Sequence, residues 1–391
     1  MPAPMLVLAF LVAQPLGLQQ ALERARAANP ELAAARQNVR VAEASVEAAG
    51  QLANPTLSGS VGPDEPQQLA TLEVKAPILG QRGTAIAAAE READVQRAGQ
   101  KLQEVKVLAA VRRSYFGLAA AQLRARLAED ALGLARDLET RIEAKVAAGS
   151  AAQLELEQAR LLRRRARQER DDRASALTGA REELARLLRE EQPGTLEAGD
   201  SLLPVPPAPP LEALLQSAGH HPEVESLRRE RDAALARADR ERAAVRPLPI
   251  LSLTLEHLQS TPAIGLRAGL AFDLPLLSWN RGNVHQAQAQ AELASMQAQG
   301  ALQRLRSEVR AAWARWQAAA ARARSYADDI VPAAQRLEKM ARDAWDLGRA
   351  PLLAVLQAET DLNSTRALAA DAAAEAQRAF ADLEEAAGEI L

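Results

Sequence analysis

Two stretches of the chain alternate apolar and polar residues, which is the pattern of a β-strand with one apolar and one polar face. In the longer stretch, residues 251–255 read Leu-Ser-Leu-Thr-Leu, and residues 264–273 carry an apolar side chain at every even position. This alternation predicts a hairpin over about residues 248–274. Its apolar residues would face lipid if the hairpin lies in a membrane; the set is Leu251, Leu253, Leu255, Leu266, Leu270 and Phe272.

The shorter stretch predicts a second hairpin over about residues 55–76. Its strands are separated by Gly-Pro-Asp-Glu-Pro at residues 62–66, a composition typical of turns. In both hairpins the polar face carries charges, which suits the water-filled lumen of a membrane channel and the surface of a soluble domain equally well. Each hairpin taken alone therefore leaves both interpretations open.

The two hairpins occupy equivalent places in a duplicated chain. Ala148-Gly149-Ser150 in the first half corresponds to Leu347-Gly348-Arg349 in the second. The repeat is too long for a solenoid unit and indicates a duplicated half-molecule. Residues 18–191 form the first repeat, residues 211–391 form the second, and the proline-rich residues 192–210 are a linker between them.

Long helices are predicted before and after each hairpin. Alanine, leucine, glutamate and arginine dominate these segments, and all four are strong helix formers. Apolar residues recur there at spacings of three and four, which is the coiled-coil pattern. A glycine near residue 149 and another near residue 348 end the long helices, because glycine readily adopts the left-handed conformation of a helix end. Each repeat is therefore expected to contain an antiparallel helical hairpin.

The first residues of the chain predict a signal peptide. Residues 5–18 form an apolar run that is too short to cross a bilayer as a helix but suits the core of a secretory signal. We place this segment at residues 1–17. The chain has no cysteine, which excludes disulfides, thiolate metal sites and a lipid anchor on an N-terminal cysteine.

Composition and motifs exclude several classes of function. The net charge is −3 with both signs interspersed, so there is no basic face for nucleic acid. No nucleophile, phosphate-loop or dinucleotide motif occurs, so the chain is not predicted to be an enzyme or to hold a cofactor or metal. His220-His221 occupies the place of Ala28-Asn29 in the first repeat, at a helix boundary before Pro222, and a structural role is expected there.

Several of these features together resemble a known family. They are the Leu-x-x-Ala-Leu and Asn-Pro pair near the N-terminus, two hairpins in a Pro–strand–loop–strand–Pro format, Asn280-Arg281-Gly282 opening a long helix, and the glycine turn before residues 352–358. In this order, and duplicated, they resemble the outer membrane factor family of TolC-like efflux proteins. Residues 274–283 are most similar to the branch that serves heavy-metal efflux pumps.

The resemblance implies a fold and an assembly. The fold would be mainly α with a small β part, with long helical hairpins forming an α-barrel tunnel in the periplasm. Three copies would assemble, each giving four strands to a twelve-stranded β-barrel in the outer membrane of a Gram-negative cell. The linker would lie in an equatorial region. The partners would be a periplasmic adaptor (membrane fusion) protein, an inner-membrane pump and outer membrane lipid.

The resemblance also implies site residues. The helical turns would contact the adaptor, and here they comprise Ala148, Gly149, Ser150, Leu347, Gly348 and Arg349. Acidic residues just past the turns often line the tunnel constriction in this family. Glu155 and Glu157 stand there in the first repeat. In the second repeat Gln357 occupies a place where an acid is often found, so the chain departs from the family pattern.

Three functions are compatible with the sequence. The favoured one is a passive exit duct of a tripartite efflux system, which passes drugs or metal ions from a pump and adaptor to the exterior. A duct for type I protein secretion would have a similar tunnel. A soluble periplasmic coiled-coil adaptor or scaffold would share the helical hairpins but would not need two matched amphipathic strand hairpins.

Overall fold

The computed structural model describes residues 15–62, 66, 68–258, 263–275 and 277–390. The predicted fold class is confirmed, because long helices and one four-stranded sheet make up the structure. The helices are α1 (Leu18–Ala28), α2 (Pro30–Gly50), α3 (Gln81–Ala147), α4 (Gln153–Leu188), α5 (Leu211–Ser217), α6 (Pro222–Ala244), α7 (Arg281–Ser325), α8 (Val331–Asp346) and α9 (Leu352–Ala387). The strands are β1 (Thr56–Val61), β2 (Gln68–Lys75), β3 (Pro249–Leu258) and β4 (Ala263–Phe272).

The chain divides into two compact units. The strand unit comprises Ala33–Gln103 and Gly219–Arg304 and contains the sheet. The helical unit comprises the described part of Met1–Leu32 together with Glu104–Ala218 and Leu305–Leu391, and it contains both helical turns. Each unit therefore draws on both predicted repeats.

The sheet of the strand unit is antiparallel throughout, in the order β1-β2-β3-β4. Its register brings apolar residues of different strands side by side: Leu253 pairs with Leu72 on β2 and with Ala268 on β4. Because side chains alternate along every strand, this register puts the six residues predicted to face lipid on one face. The sequence alternation thus correctly identified one continuous apolar face.

The chain leaves the sheet through two left-handed residues. Gly80 has φ +94° and Asn280 has φ +54°, and each stands immediately before the long helix that follows its hairpin. A Cβ at Gly80 would lie 2.5 Å from Nη1 of Arg246, whose guanidinium donates a hydrogen bond of 2.8 Å to the carbonyl of Leu79. The Asn280 amide donates to the carbonyl of Glu241, at 3.0 Å. Both exits are therefore fixed by contacts with the region that enters β3.

Two boundary residues of the repeat act as helix caps. The Asn29 side chain accepts hydrogen bonds from the backbone N–H groups of Glu31 and Leu32 at the start of α2. His221 stands at the equivalent place and accepts one from the N–H of Glu223 through Nδ1, at 3.1 Å. His221 is buried and has the structural role that the sequence predicted.

One turn of π-helix separates α7 from α8, where the sequence pattern predicted a continuous helix. It covers Tyr326–Ile330 and is closed by the N–H of Val331, which donates to the carbonyl of Tyr326. Pro332 follows directly. Proline has no N–H for the carbonyl four residues earlier, that of Asp328, and its ring crowds that carbonyl, so the wider turn accommodates it.

The N-terminal described residues are part of the helical unit. Leu16 is buried, and its N–H donates to the carbonyl of Glu197, while its own carbonyl accepts from the hydroxyl of Tyr115 at 2.7 Å. The carboxylate of Asp200 accepts from the N–H of Leu18, at 2.6 Å. The predicted signal peptide lies mostly in residues 1–14, outside the described residues, and we expect any cleavage to precede Leu16.

A buried ion pair joins α3 to α9 in the helical unit. The Arg112 guanidinium donates to the carboxylate of Glu384, and the two side chains are 8% and 0% exposed. The guanidinium also lies 4.6 Å from the centroid of the Phe380 ring. The neighbouring residue Arg113 pairs with acidic side chains of α9 at the surface, where its own side chain is 34% exposed.

We predict that Arg112→Ala destabilises the helical unit by about 3–5 kcal/mol, because it leaves the Glu384 carboxylate buried without its cation. Thermal unfolding of the purified protein, followed by circular dichroism, measures the effect. Arg113→Ala is the matched control, and its half-exposed pairs predict a loss of about 1 kcal/mol or less. Equal unfolding midpoints for the two variants would contradict this assignment.

Candidate functional site

The apolar face of the sheet is open to solvent in the single chain. The six residues predicted to face lipid are between 45% and 67% exposed. The face extends to Leu57, Val61 and Ile264, which are more exposed still. A contiguous apolar surface of this kind marks a contact with lipid or with another protein. The structure therefore brings the predicted lipid-facing residues together on one surface.

Both predicted helical turns have the same backbone geometry. In the first, the N–H of Gly149 donates to the carbonyl of Val146 and the N–H of Ser150 to that of Lys145, both at 2.9 Å. In the second, Gly348 donates to Trp345 and Arg349 to Ala344, at 2.9 and 2.8 Å. This pair of bonds is the Schellman motif of helix ends.

The motif explains why a glycine stands at the same place in each turn. Gly149 has φ +71° and Gly348 has φ +69°, a conformation that costs any other common residue roughly 1–2 kcal/mol. The six residues predicted to contact an adaptor are all exposed: Ala148, Gly149, Ser150, Leu347, Gly348 and Arg349. Their role stays a prediction, but their accessibility suits it.

The two turns lie next to each other. The ammonium group of Lys145, at the end of α3, lies 4.3 Å from the centroid of the Trp345 ring, at the end of α8. A cation over an aromatic face is attracted by the ring quadrupole. Beneath the turns, Leu138, Ile142 and Leu156 form a small core with Leu356 packed against it. The structure thus makes one surface from turns that are about 200 residues apart in sequence.

The three predicted constriction residues are placed just past the turns. Glu155 is half-buried, Glu157 is exposed and pairs with Arg160 at 2.8 Å, and Gln357 is exposed. Within the described part of the chain, no hydrogen bond or ion pair connects these three side chains to one another. Their role in a constriction stays a prediction.

The structure shows a further acidic residue near the second turn that the sequence analysis missed. Glu359 is buried on α9, and its carboxylate accepts a hydrogen bond of 2.9 Å from the guanidinium of Arg342 on α8. Burial raises the pKa of Glu359, and the nearby carboxylate of Glu338 raises it further, while Arg342 acts in the opposite direction. The sequence signal that could have identified Glu359 is its spacing. It lies four residues after Val355, within the buried stripe of α9.

None of the helices described is both long and apolar enough to cross a bilayer. Nowhere in residues 15–62, 66, 68–258, 263–275 and 277–390 do three or more His, Asp or Glu side chains come together as ligands for a metal ion.

These features define a class of protein. An amphipathic antiparallel sheet that exposes its apolar face, on a chain of long helical hairpins, is the architecture of a protein that contacts a membrane or another protein through its strands.

Several known proteins are similar to this chain in sequence or in structure. The family model described as "Outer membrane efflux protein" matches residues 21–189 and 214–389. The cobalt-zinc-cadmium resistance protein CzcC of Cupriavidus metallidurans is 28% identical over 359 residues, which cover 90% of this chain and 85% of that protein. Among solved structures, a membrane protein from Pseudomonas aeruginosa has a TM-score of 0.78 at 18% identity, over 95% of this chain and 93% of its own. The outer membrane protein VceC of Vibrio cholerae has a TM-score of 0.74 at 19% identity, over 95% and 96%.

The chain belongs to the outer membrane efflux protein family. The predicted resemblance is therefore confirmed, as are the outer membrane location and the prediction that the chain is a channel and not an enzyme. Family membership also sets aside the soluble adaptor or scaffold that the helical hairpins alone allowed.

We predict that Glu359→Gln raises the thermal unfolding midpoint at neutral pH and loses this advantage as the pH falls. The folded state raises the pKa of Glu359, so it binds the proton more readily than the unfolded state does. The ionised carboxylate therefore costs stability above the raised pKa, and protonation relieves the cost as the pH falls through it. Arg342 keeps its second partner, Glu338, in the variant.

Unfolding midpoints measured from neutral pH down to the ordinary pKa of glutamate check this prediction. Glu157→Gln is the control, because it removes an exposed carboxylate of the same helical unit. A gap between Glu359→Gln and the wild type that stays constant over the whole range would contradict the assignment.

Proposed function

We propose that this chain is the exit duct of a tripartite efflux system and acts as a homotrimer. A periplasmic adaptor and an inner-membrane pump would deliver the substrate, and the duct would release it outside the cell. The duct itself consumes no energy and needs no cofactor, because its part is to provide a continuous water-filled path.

The observation that carries this proposal is the four-stranded sheet. Among the described residues, β1 and β4 each have a neighbouring strand on one side only. Their other edges present unpaired backbone N–H and C=O groups, and each such group costs several kcal/mol in lipid. Pairing β4 of one copy with β1 of the next satisfies both edges. Three copies then give twelve strands, enough to close a barrel around an aqueous lumen.

The apolar face of the sheet supports the same arrangement. Leu253 and Leu270 lie on neighbouring strands, and both are exposed in the single chain. In a closed barrel this face would contact lipid hydrocarbon, while the serine and threonine residues of the opposite face would line the lumen.

The helical turns are proposed to be the adaptor contact. They form one exposed surface, and Leu347 projects from it with 66% of its side chain exposed. An exposed leucine at the end of a helical hairpin suits insertion into an apolar groove of a partner. Glu155, Glu157 and Gln357 follow the turns along α4 and α9, and we assign them to the constriction of the tunnel.

The substrate is proposed to be a divalent heavy-metal ion. Support comes from the 28% identity to a protein named for resistance to cobalt, zinc and cadmium. The similarity extends over 90% of this chain and 85% of that protein, so it is not limited to one part of the fold.

We predict that Leu253→Arg and Leu270→Arg impair assembly in the outer membrane, by roughly 2–4 kcal/mol if the residues lie at the bilayer midplane. The reason is that each places a charge on the lipid-facing surface. The amount of heat-resistant oligomer in isolated outer membranes measures the effect.

Ser58→Arg is the matched control for these variants. Ser58 follows Leu57 on β1, but its side chain lies on the polar face of the sheet. The cross-strand partner of Ser58 is Thr71, whereas that of Leu57 is Leu72. We expect this variant to assemble, because its arginine would project into water. Normal assembly of all three variants would count against a lipid-facing role for the apolar face.

The proposed function predicts that expression of the chain lowers the amount of heavy-metal ions in the cell. To test this, the chain is expressed together with a heavy-metal pump and its adaptor in cells that lack an outer membrane duct. The cellular contents of cobalt, zinc and cadmium are then measured. Leu347→Glu should abolish the effect while leaving the oligomer intact, because it places a charge in the adaptor contact. Leu235→Glu, at an exposed site on α6, is the control.

Unchanged metal levels in cells that contain assembled wild-type duct would overturn the metal assignment. Full activity of Leu347→Glu would overturn the assignment of the turns to adaptor contact, without affecting the proposed duct.

A further inference from the structure

The polar face of the β3–β4 hairpin has one prominent charged group. Arg267 stands on β4, and its guanidinium pairs with the carboxylate of Glu256 on β3, at 3.0 Å. The two side chains are unequally exposed: 70% of Arg267 is accessible but only 13% of Glu256. Water or a solute at this face therefore meets the cation first, although the pair as a whole is neutral.

Two glycines on β4 explain why Arg267 is more exposed than Glu256. Gly265 pairs with Glu256, and a Cβ at Gly265 would lie 2.8 Å from Cγ of Glu256. The glutamate side chain therefore lies flat across β4, over the position that a larger residue would fill. Gly269 likewise leaves room for the hydroxyl of Ser252, which would be 2.5 Å from an added Cβ. Arg267 stands between these two glycines on the same face of β4, so no side chain of its own strand covers it.

The row of the sheet that contains Arg267 is otherwise uncharged. Arg267 pairs with Thr254, Thr254 with Thr71, and Thr71 with Ser58. The hydroxyls of Thr71 and Thr254 are 3.1 Å apart and form a cross-strand hydrogen bond. Three hydroxyl side chains and one guanidinium thus cross the sheet at one level, and they contain no carboxylate.

We infer that Arg267 is a charge-selectivity residue that attracts anions to the lumen of the barrel. The inference rests on the proposed trimeric duct, in which symmetry places three copies of Arg267 at one height. A ring of exposed guanidinium groups in a narrow pore lowers the energy of an anion and raises that of a cation. Free cations would then cross this level less readily than neutral or anionic species, so the proposed metal substrate would cross it bound to neutral or anionic ligands and not as a free divalent cation.

A cross-strand ion pair with no effect on permeation is the alternative explanation. Opposite charges on neighbouring strands stabilise sheets by a few tenths of a kcal/mol, and this alone would explain the pairing. The two explanations differ in what happens when both charges are removed together. Removing a purely structural pair leaves the ion selectivity of the pore unchanged. Removing a pair whose positive end lies in the lumen lowers the preference for anions.

The test uses the purified full-length protein in planar lipid bilayers under a potassium chloride gradient. The permeability ratio of chloride to potassium is measured for the wild type, Arg267→Gln, Glu256→Gln and the double variant. Glu73 lies one row away, about 7 Å along the strands, and it is the same in all four proteins, so its contribution cancels. Heat-resistant oligomer on gels shows that each variant has assembled.

We expect the chloride preference to be highest in Glu256→Gln, lower in the wild type, lower again in the double variant and lowest in Arg267→Gln. The decisive comparison is the wild type with the double variant. The two charges of each pair partly cancel at a permeating ion about 10 Å away in water, and three copies acting oppositely on chloride and potassium are expected to give a difference of about twofold in the ratio.

Equal ratios in the wild type and the double variant would overturn the inference and leave the proposed duct intact. A wild-type protein that assembles but forms no channel would instead contradict the proposed function, and the inference with it.

Discussion

The structure depends on one constraint, which is that every backbone hydrogen-bonding group must be satisfied within a bilayer. A four-stranded sheet cannot meet this requirement alone, since its first and last strands each have an edge that no other described strand pairs with. Association of several copies is therefore a condition for placing the sheet in lipid. The exposed apolar face imposes a second requirement, because it is unfavourable in water and becomes favourable when lipid or another protein covers it.

The helical unit meets a different requirement, which is to hold two distant segments of sequence in one place. The turns at residues 149 and 348 share a Schellman motif, and the contact between Lys145 and Trp345 sets them side by side. Elsewhere in this unit, the ion pair between Arg112 and Glu384 and the hydrogen bonds of Asp200 tie together helices, linker and N-terminal residues. The surface formed by the turns thus relies on packing that is local to the helical unit.

Much of this could be predicted from sequence, because the relevant signals are local. Alternation at residues 251–255 identified the apolar face, glycine marked both turns, and the repeat placed His221 at a helix cap. The buried pairing of Glu359 with Arg342 was missed, since it depends on which helices pack together. The π-turn before Pro332 was also missed, because an apolar periodicity does not show how a helix accommodates a proline. The contact between Leu18 and Asp200 joins residues 182 positions apart, and no local pattern could have indicated it.

The central claim is that the duct is a trimer in the outer membrane. Its most direct test is the mass of the complex extracted in mild detergent from separated outer membranes, measured by native mass spectrometry. Three copies of the chain are expected in the outer membrane fraction. A monomer or dimer, or a protein recovered without membrane, would contradict the claim. A monomer would leave the edges of β1 and β4 unpaired, and a dimer would supply only eight strands.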